Sequence, residues 1–468
     1  VHRFFRAGLA AVSIAVVSLT GAVLLTRASA DRFSPSLVQR DDAPADLRML
    51  LGGSPHSDER LLDTAFAKVE DTYYKPVAAQ LMLDGERKEL LTDIKSHGVA
   101  HPSLPRFTAT GDRSHDRSLL DQNLSAAQTA YAQKVPGSEL REAALRGMLA
   151  ALGDPYTTYL SATEISRLEE SLRGGDFGGI GVYIVQDPNT KQILVDPITG
   201  TPAYKAGIKP GDEIVSVNGA STRALPLDNI ERLIRGPVGT QVVLVLRTHD
   251  SAKNRTVAVT RGHIQVPSVL AKMEDGFEYV RLSDFGQTSY DEVRHAMLDG
   301  KTHHARGYIL DLRDNGGGLL EAAVQISSLF IPEGTIVSTI DRAGTRDVRE
   351  ADHDSIGTAP LVLLVNKYTA SASEITASAV QDYKAGTLIG TRTFGKGVVQ
   401  SIYSLGPQSG ALKITTARYV TPLGRDIHHK GIKPDIVVDQ PIEAGIIDSP
   451  KDAQLLAAKA YLRRIARR

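Results

Sequence analysis

The alternation of apolar and polar positions divides the chain into segments of different kind. Ala7 to Thr26 is an almost uninterrupted apolar run without a charge, preceded by the basic VHRFFR and followed by Ala28-Ser29-Ala30. The run is long enough to span a bilayer. With its basic start and A-x-A ending it predicts export, with a cleaved secretory signal and a retained membrane anchor both open. From Asp58 to Val77 apolar residues recur at helical spacing until Pro76, which predicts an amphipathic helix. Residues 84 to 135 are polar and weakly patterned, and read as a loop or insertion. A second helix is predicted over Ser138 to Leu152, then a turn at Asp154-Pro155, then a helix capped by Ser161 and Glu164.

From Phe177 to His263 the pattern changes to short strands between glycine turns. A glycine-rich FGGIGVYIV feeds a strand, AGIKPGDEIVSVNG forms a turn and strand, a helix is predicted over Leu227 to Arg235, and QVVLVLR follows at 241 to 247. After Phe277 strands alternate with helices, which predicts an α/β core. FEYVRLSDF and ARGYILDLRDNGGG lead into a helix; Leu361 to Asn366 reads as a buried strand, Glu374 to Tyr383 as an alanine-rich helix, and Val398 to Tyr403 as a strand. Lys451 to Arg468 forms a basic amphipathic helix, expected to cap the domain or mediate self-association, with a membrane-surface role as the alternative.

Composition removes several classes of function. The 468 residues contain no cysteine, so disulfides, thiolate chemistry and cysteine-bound zinc are excluded. An exported protein without disulfides needs a core large enough to stand alone, and this length supplies one. Lys plus Arg and Asp plus Glu both number 54, so no global charge favours nucleic acid. His101 and His115 show no metal-ligand spacing and read as solvated surface.

The candidate chemistry lies between Leu361 and Gln400. Ser371 falls at the predicted strand-to-helix turn, where a hydroxyl is exposed beside the positive end of a helix. Ser371 and Glu374 also match an S-x-x-E capping box, so an ordinary N-cap is the competing reading. Lys396 sits between Gly395 and Gly397; a solvated loop lysine competes with a lysine delivered into a crowded site. Gly390 to Gly397 reads G-x-x-x-x-G-K-G, but the position that should offer a hydroxyl to magnesium is glycine, and a strand follows rather than a helix, so a phosphate loop is rejected. Asn315-Gly316-Gly317-Gly318 lacks the spacing of a dinucleotide fingerprint. Asp311 and Arg313 are expected to form a structural ion pair. No G-x-S-x-G elbow is present, and His428 and His429 lie in a loop-like stretch, so a Ser-His-Asp triad is not favoured.

TASASE, Asp382 on the same helix, and TFGKGVVQ together resemble the C-terminal processing peptidases, tail-specific serine proteases with a Ser-Lys dyad. The resemblance covers roughly Asp58 to Gln440. It implies Ser371 as nucleophile, Lys396 as general base and Gln400 orienting the lysine. It implies an oxyanion hole from the N–H groups of Ala372 and of Gly317 or Gly318, with Asp382 as support for the helix or the lysine site. A lysine accepts a proton only when neutral, so Lys396 is expected to be buried, with its pKa lowered from roughly 10.4. Phe177 to His263 resembles a PDZ domain, which implies that Gly179, Ile180 and Gly181 hold a peptide's terminal carboxylate.

The fold class so implied is α/β and multidomain. A signal or anchor occupies 1–30, a helical N-terminal region 31–176 with a polar insertion at 84–135, and a small β-rich PDZ-like domain 177–263. An α/β catalytic core of crotonase and ClpP-like resemblance occupies 264–440, and a C-terminal helix 441–468. The expected function is an exported serine endopeptidase, in the bacterial periplasm or on the periplasmic face of the inner membrane, that cleaves proteins recognised by apolar C-terminal tails. It needs no metal and no cofactor and binds no nucleic acid, while an adaptor or regulatory protein, homo-oligomers and membrane association through the N-terminal segment stay open. A catalytically silent PDZ-containing scaffold and a nucleotide-dependent enzyme are the alternatives.

Overall fold

The computed structural model describes residues 61–466, apart from 174–176, 188–189, 224, 249–252, 265, 358, 407 and 442–445. The apolar run at Ala7 to Thr26 and the Ala28-Ser29-Ala30 pattern lie outside the described residues. Among the described residues no helix is long and apolar enough to cross a membrane.

Four helices open the described residues: Leu61–Thr72, Ala79–Ser96, Arg113–Tyr131 and Gly137–Ala150. The first buries Leu61, Leu62, Ala65, Phe66 and Val69 along one stripe, the spacing its sequence predicts. The second and fourth cross through glycines. A Cβ on Gly85 would lie 2.4 Å from the Gly147 carbonyl oxygen, and one on Gly147 would lie 2.5 Å from that of Gly85.

Residues 84 to 135 are therefore not a loop or insertion. Most of the stretch is helix, and its apolar stripe is interrupted by polar residues that are themselves buried. Ala79–Ser96 packs Glu86 beside Met82, Leu90 and Ile94, while Arg113–Tyr131 buries Asp116 and Asn123 beside Leu119, Leu120 and Leu124. Asn123 Nδ2 donates to Glu86 Oε2 at 3.2 Å, though Glu86 Oε1 and Asn123 Oδ1 find no hydrogen-bond partner among the described residues, and the Asp116 carboxylate accepts the N–H groups of Thr110 and Gly111 at 2.7 and 3.0 Å. Burial pushes the Glu86 carboxyl well above its usual range, against the pull of Asn123.

The β-rich region that follows has its own core, which includes Ile193, Val195, Ile214, Val217, Val242 and Leu244. Its antiparallel sheet runs in the order Val182–Gln186, Ile193–Pro197, Asp212–Val217, Gln241–Arg247, Asn254–Thr260, so Val182–Gln186 is an edge strand. Leu227–Ile234 packs Ile230 and Ile234 into the same core.

The α/β core holds two sheets. The first runs Val269–Glu274, Phe277–Leu282, Tyr308–Asp311, Leu361–Val365, Thr387–Gly390, Ile436–Val437, parallel after its first pair. Every residue of Leu361–Val365 is buried because both faces are covered. Leu361, Leu363 and Val365 face the core built with helices Ser289–Thr302, Leu320–Ser328 and Ala372–Asp382; Val362 and Leu364 face the C-terminal helix Ala453–Ile465. That helix caps the sheet with Leu455, Ala458 and Leu462.

Its attachment is ionic as well as apolar. Arg313, with no exposed side-chain surface, lies 2.6 Å from Asp311 Oδ2 and 2.7 Å from Asp452 Oδ1. Burial opposes ionisation of Asp311, but the Arg313 guanidinium more than offsets it and holds the carboxyl below its usual range.

In the second sheet Ala411–Val420 is central, paired with Val398–Ser404 along one side and with Thr158–Leu160 and Thr335–Asp341 along the other. Leu412 and Ile414 belong to the core of the N-terminal helices, whereas Ala417 and Tyr419 belong to the α/β core.

Candidate active site

Leu361–Val365 ends in a polar turn that delivers Ser371 to the start of Ala372–Asp382. Ser371 is buried and adopts φ 58°, ψ −118°. A non-glycine residue in that region is strained, and such strain gathers where a side chain must be aimed. The turn is a sharp strand-to-helix turn that aims a side chain at the start of a helix, formed without the G-x-S-x-G sequence. Ala372 provides the first N–H of the helix, which has no acceptor within the helix itself.

The glycine loop closes against this turn through Asn315. Its carbonyl accepts Ala370 N–H and Ser373 Oγ–H, each at 3.0 Å, and its side chain donates to Leu282 O at 2.9 Å. A Cβ on Gly317 would fall 2.8 Å from both Ala372 N and Ser371 Cβ, so only glycine fits. The Gly317 N–H, however, donates to Asn315 Oδ1 at 2.9 Å. Of the two glycines expected to offer an amide to an oxyanion, Gly317 is thus already committed. Gly318 is held by Phe285 on both flanks, through Phe285 N–H to Gly317 O and Leu319 N–H to Phe285 O.

Lys396 is 5% exposed. Burial, aided by the positive charge of Lys413, pulls its pKa down to about 7 against the opposing Asp154 and Glu374. The lysine turn is tight because Gly395 and Gly397 press on the 427–431 loop: a Cβ on Gly395 would meet Gly431 N at 2.7 Å and one on Gly397 would meet His428 N at 2.8 Å. Residues 390–397 run from strand to strand with no helix, which leaves no phosphate loop.

Glu374 joins the two turns. Fully buried, it accepts Ser371 N–H (3.0 Å) and Lys396 N–H (2.8 Å) on Oε2, and Thr393 Oγ1–H (2.6 Å) and Gly395 N–H (2.7 Å) on Oε1. Burial pushes its pKa up and those hydrogen bonds pull it back. One half of a capping box has become a clamp across the site.

Gln400 is buried; its Nε2 donates to Thr415 Oγ1 at 3.4 Å, and its Oε1 finds no hydrogen-bond donor among the described residues. Asp382 does not support the lysine. It lies at the far end of its helix, pairs with Arg425 and accepts Leu423 N–H at 3.0 Å, so it holds the 421–425 turn. His428 offers Nδ1 to Gly397 N–H at 3.3 Å and stacks on His429.

Tyr156, Thr157 and Tyr419 carried no readable signal, and Asp154 carried only that of a turn. The Tyr156 ring centroid lies 4.7 Å from Lys396 Nζ, and Asp154 ties down this turn by accepting Tyr156 N–H and Thr157 Oγ1–H. Thr157 Oγ1 accepts Thr415 N–H at 3.0 Å, and the Tyr419 hydroxyl donates to Ser371 O at 3.2 Å.

In the small β-rich domain the carbonyls of Ile180 and Gly181 are occupied by Ala203 N–H and Ile198 N–H. Gly181, at φ 74°, leaves no room for a side chain beside Thr201. The neighbouring Arg235 stacks on Phe177 at 3.8 Å and pairs with Glu170. Elsewhere Asp93, His97 and Glu139 bring ligand-type atoms together on the surface, but His97 and Glu139 already pair at 3.1 Å.

Residues 277–438 match peptidase family S41, residues 193–248 match a PDZ domain, and residues 106–163 match the N-terminal domain of the activating protease CtpB. The chain is 39% identical over 351 residues to a carboxyl-terminal-processing protease of Synechocystis sp., covering 73% of this chain and 82% of that one. It is 36% identical over 338 residues to carboxy-terminal processing protease CtpA of Bacillus subtilis, covering 72% and 71%. A solved structure, the photosystem II D1 C-terminal processing protease, is 29% identical, covers 85% of this chain and 96% of its own, and superposes with TM-score 0.45.

Proposed function

This chain belongs to the C-terminal processing proteases of peptidase family S41, serine-type peptidases, and from that premise we propose an exported endopeptidase that selects proteins by their C-terminal tails and cleaves them with a Ser371–Lys396 dyad. The observation that carries the reading is the buried Lys396, whose turn is held on the same Glu374 oxygen as the strained Ser371.

Neutral Lys396 takes the proton from Ser371 Oγ as that oxygen attacks the scissile carbonyl carbon. The N–H groups of Ala372 and Gly318 receive the oxyanion; the helix terminus at Ala372 adds its positive end. Collapse expels the amine with the proton from Lys396 and leaves an acyl-enzyme on Ser371, which water resolves through the same base. The open Oε1 of Gln400 is the group that accepts a Lys396 N–H and fixes its direction.

The PDZ domain selects the tail. A C-terminal peptide adds to the edge strand Val182–Gln186, with its carboxylate on the N–H groups of Gly179, Ile180 and Gly181. Export to the periplasm, or to the periplasmic face of the inner membrane, rests on the sequence from Val1 to Ala30.

The test is hydrolysis of an unfolded protein with an apolar C-terminus. Ser371→Ala and Lys396→Ala should abolish cleavage and leave tail binding intact, and a serine-reactive probe should label the wild type at Ser371. Cleavage by either variant removes the dyad; absence of labelling together with absence of cleavage by the wild type makes the protein a binding scaffold.

A further inference from the structure

Lys396 shares its surroundings with a second enclosed lysine. Lys413 is 6% exposed and lies on Ala411–Val420, opposite Ile402 on one neighbouring strand and Thr158 on the other. Side chains alternate along a strand. Leu412 and Ile414 enter the N-terminal core, so Lys413 and Thr415 share the opposite face, the face of their partners Ile402 and Gln400, as far as the bulge that separates the Gln400–Thr415 pair from the Val399–Ala417 pair. Thr415 ties that face to the site through Gln400, and the Tyr156–Thr158 turn spans both lysines: its Tyr156 ring lies over Lys396 Nζ and its Thr158 pairs with Lys413. Lys413 is the next on that face after Thr415, roughly 7 Å along the strand.

The charges around the pair are unequal. Facing Lys396 are Asp154 and the ring of Tyr156 from the N-terminal turn, Glu374 from the nucleophile helix, and Lys413. Facing Lys413 are Asp154 and Glu164, both of which favour its charged form against burial. Glu374, the remaining carboxylate near Lys396, already accepts four hydrogen bonds. Burial lowers the pKa of both lysines, and Lys396 is the more deeply lowered, so when the two compete to lose a proton Lys396 gives it up first.

We propose that Lys413 is a positioning residue that keeps Lys396 unprotonated, by holding a second cation on the strand face that lines the dyad. The proposal rests on the Ser371–Lys396 reading above. A neighbouring cation is a general means of activating a desolvated lysine. It also gives a reason for enclosing Lys413 beneath a turn of the N-terminal region, where an apolar residue would pack at less cost.

The experiment is the pH dependence of kcat/KM for the full chain on a fluorescently labelled unfolded protein with an apolar C-terminus, since its acid limb reports the free enzyme's base. Lys413→Met and Lys413→Gln should move that limb to higher pH by about one unit. Lys413→Arg, which keeps the charge, should leave it in place, and Asp154→Asn should move it the other way. Circular dichroism and thermal unfolding check that each variant is folded. An unmoved limb in a folded neutral variant, or an alkaline shift in Lys413→Arg, overturns the proposal. Retained hydrolysis by Lys396→Ala is a separate outcome that removes the dyad itself.

Discussion

The main-chain N–H of Ser371 and that of Lys396 end on one oxygen, Oε2 of Glu374, at 3.0 and 2.8 Å. The Ser371 turn and the Lys396 turn therefore share an anchor, and neither can shift without straining the other's hydrogen bond. Glu374→Gln would turn an amide NH2 toward donors that need an acceptor. We expect kcat to fall roughly 100-fold, the scale of a displacement of about 1 Å between reacting groups. KM should stay within a few-fold. Steady-state kinetics separate the two, and an unchanged kcat would show that the clamp does not set the geometry.

Lys396 carries a stability cost with a definite sign. Its folded pKa of about 7 lies below the ordinary lysine value of 10.5. The unfolded chain holds the proton more tightly, so the penalty is complete below pH about 7 and is relieved as pH rises toward 10.5. Lys396→Met should stabilise the protein by on the order of 2 kcal/mol or more at pH 6, and by little near pH 10. Urea unfolding at the two pH values measures this. Wild-type hydrolysis should rise through pH about 7; a limb rising only near pH ~10 would contradict a neutral base.

The backbone of Ser371 stores strain that a glycine would release. At φ 58°, ψ −118° a side chain crowds its own carbonyl. Comparing two inactive variants isolates the effect, since both lack the hydroxyl. Ser371→Gly should be more stable than Ser371→Ala by about 1 kcal/mol, the reverse of the order in ordinary structure. Calorimetry of the pair decides, and equal melting temperatures would mean that the turn is relaxed.

What could be read from the chain follows the range of the contacts involved. Ser371, Glu374 and Leu361–Val365 were legible because capping, turn chemistry and burial act within a few residues. The helices in 84–135 were not, because Glu86, Asp116 and Asn123 occupy buried positions and erase the apolar period. Tyr156 and Lys413 were invisible for another reason: each meets Lys396 only after distant segments fold together, and neither forms a local pattern. Gly317 shows the limit of residue type alone. Its conformation suits the oxyanion loop, but its N–H is spent on Asn315 two residues earlier.

Arg313 binds the C-terminal helix to the sheet from within. It lies between Asp311 and Asp452, all three side chains fully buried. Arg313→Ala leaves two carboxylates facing each other without a counter-charge, which should cost roughly 3–5 kcal/mol. Substituting all three by apolar residues of matching size should cost far less. Denaturant unfolding of the single and triple variants makes the comparison, and a mild loss in Arg313→Ala would mean that water reaches the carboxylates.

The strand Ala411–Val420 has a bearing on the order in which this molecule is made. The ribosome produces the N-terminal helices first and the nucleophile helix much later, yet both await this strand. Leu412 and Ile414 complete the core of the helices, and Thr415 and Tyr419 complete the surroundings of Gln400 and Ser371. A partly synthesised chain thus contains the serine and the lysine without the surface that encloses them. On the proposed dyad, hydrolytic competence waits until Ala411–Val420 has been delivered.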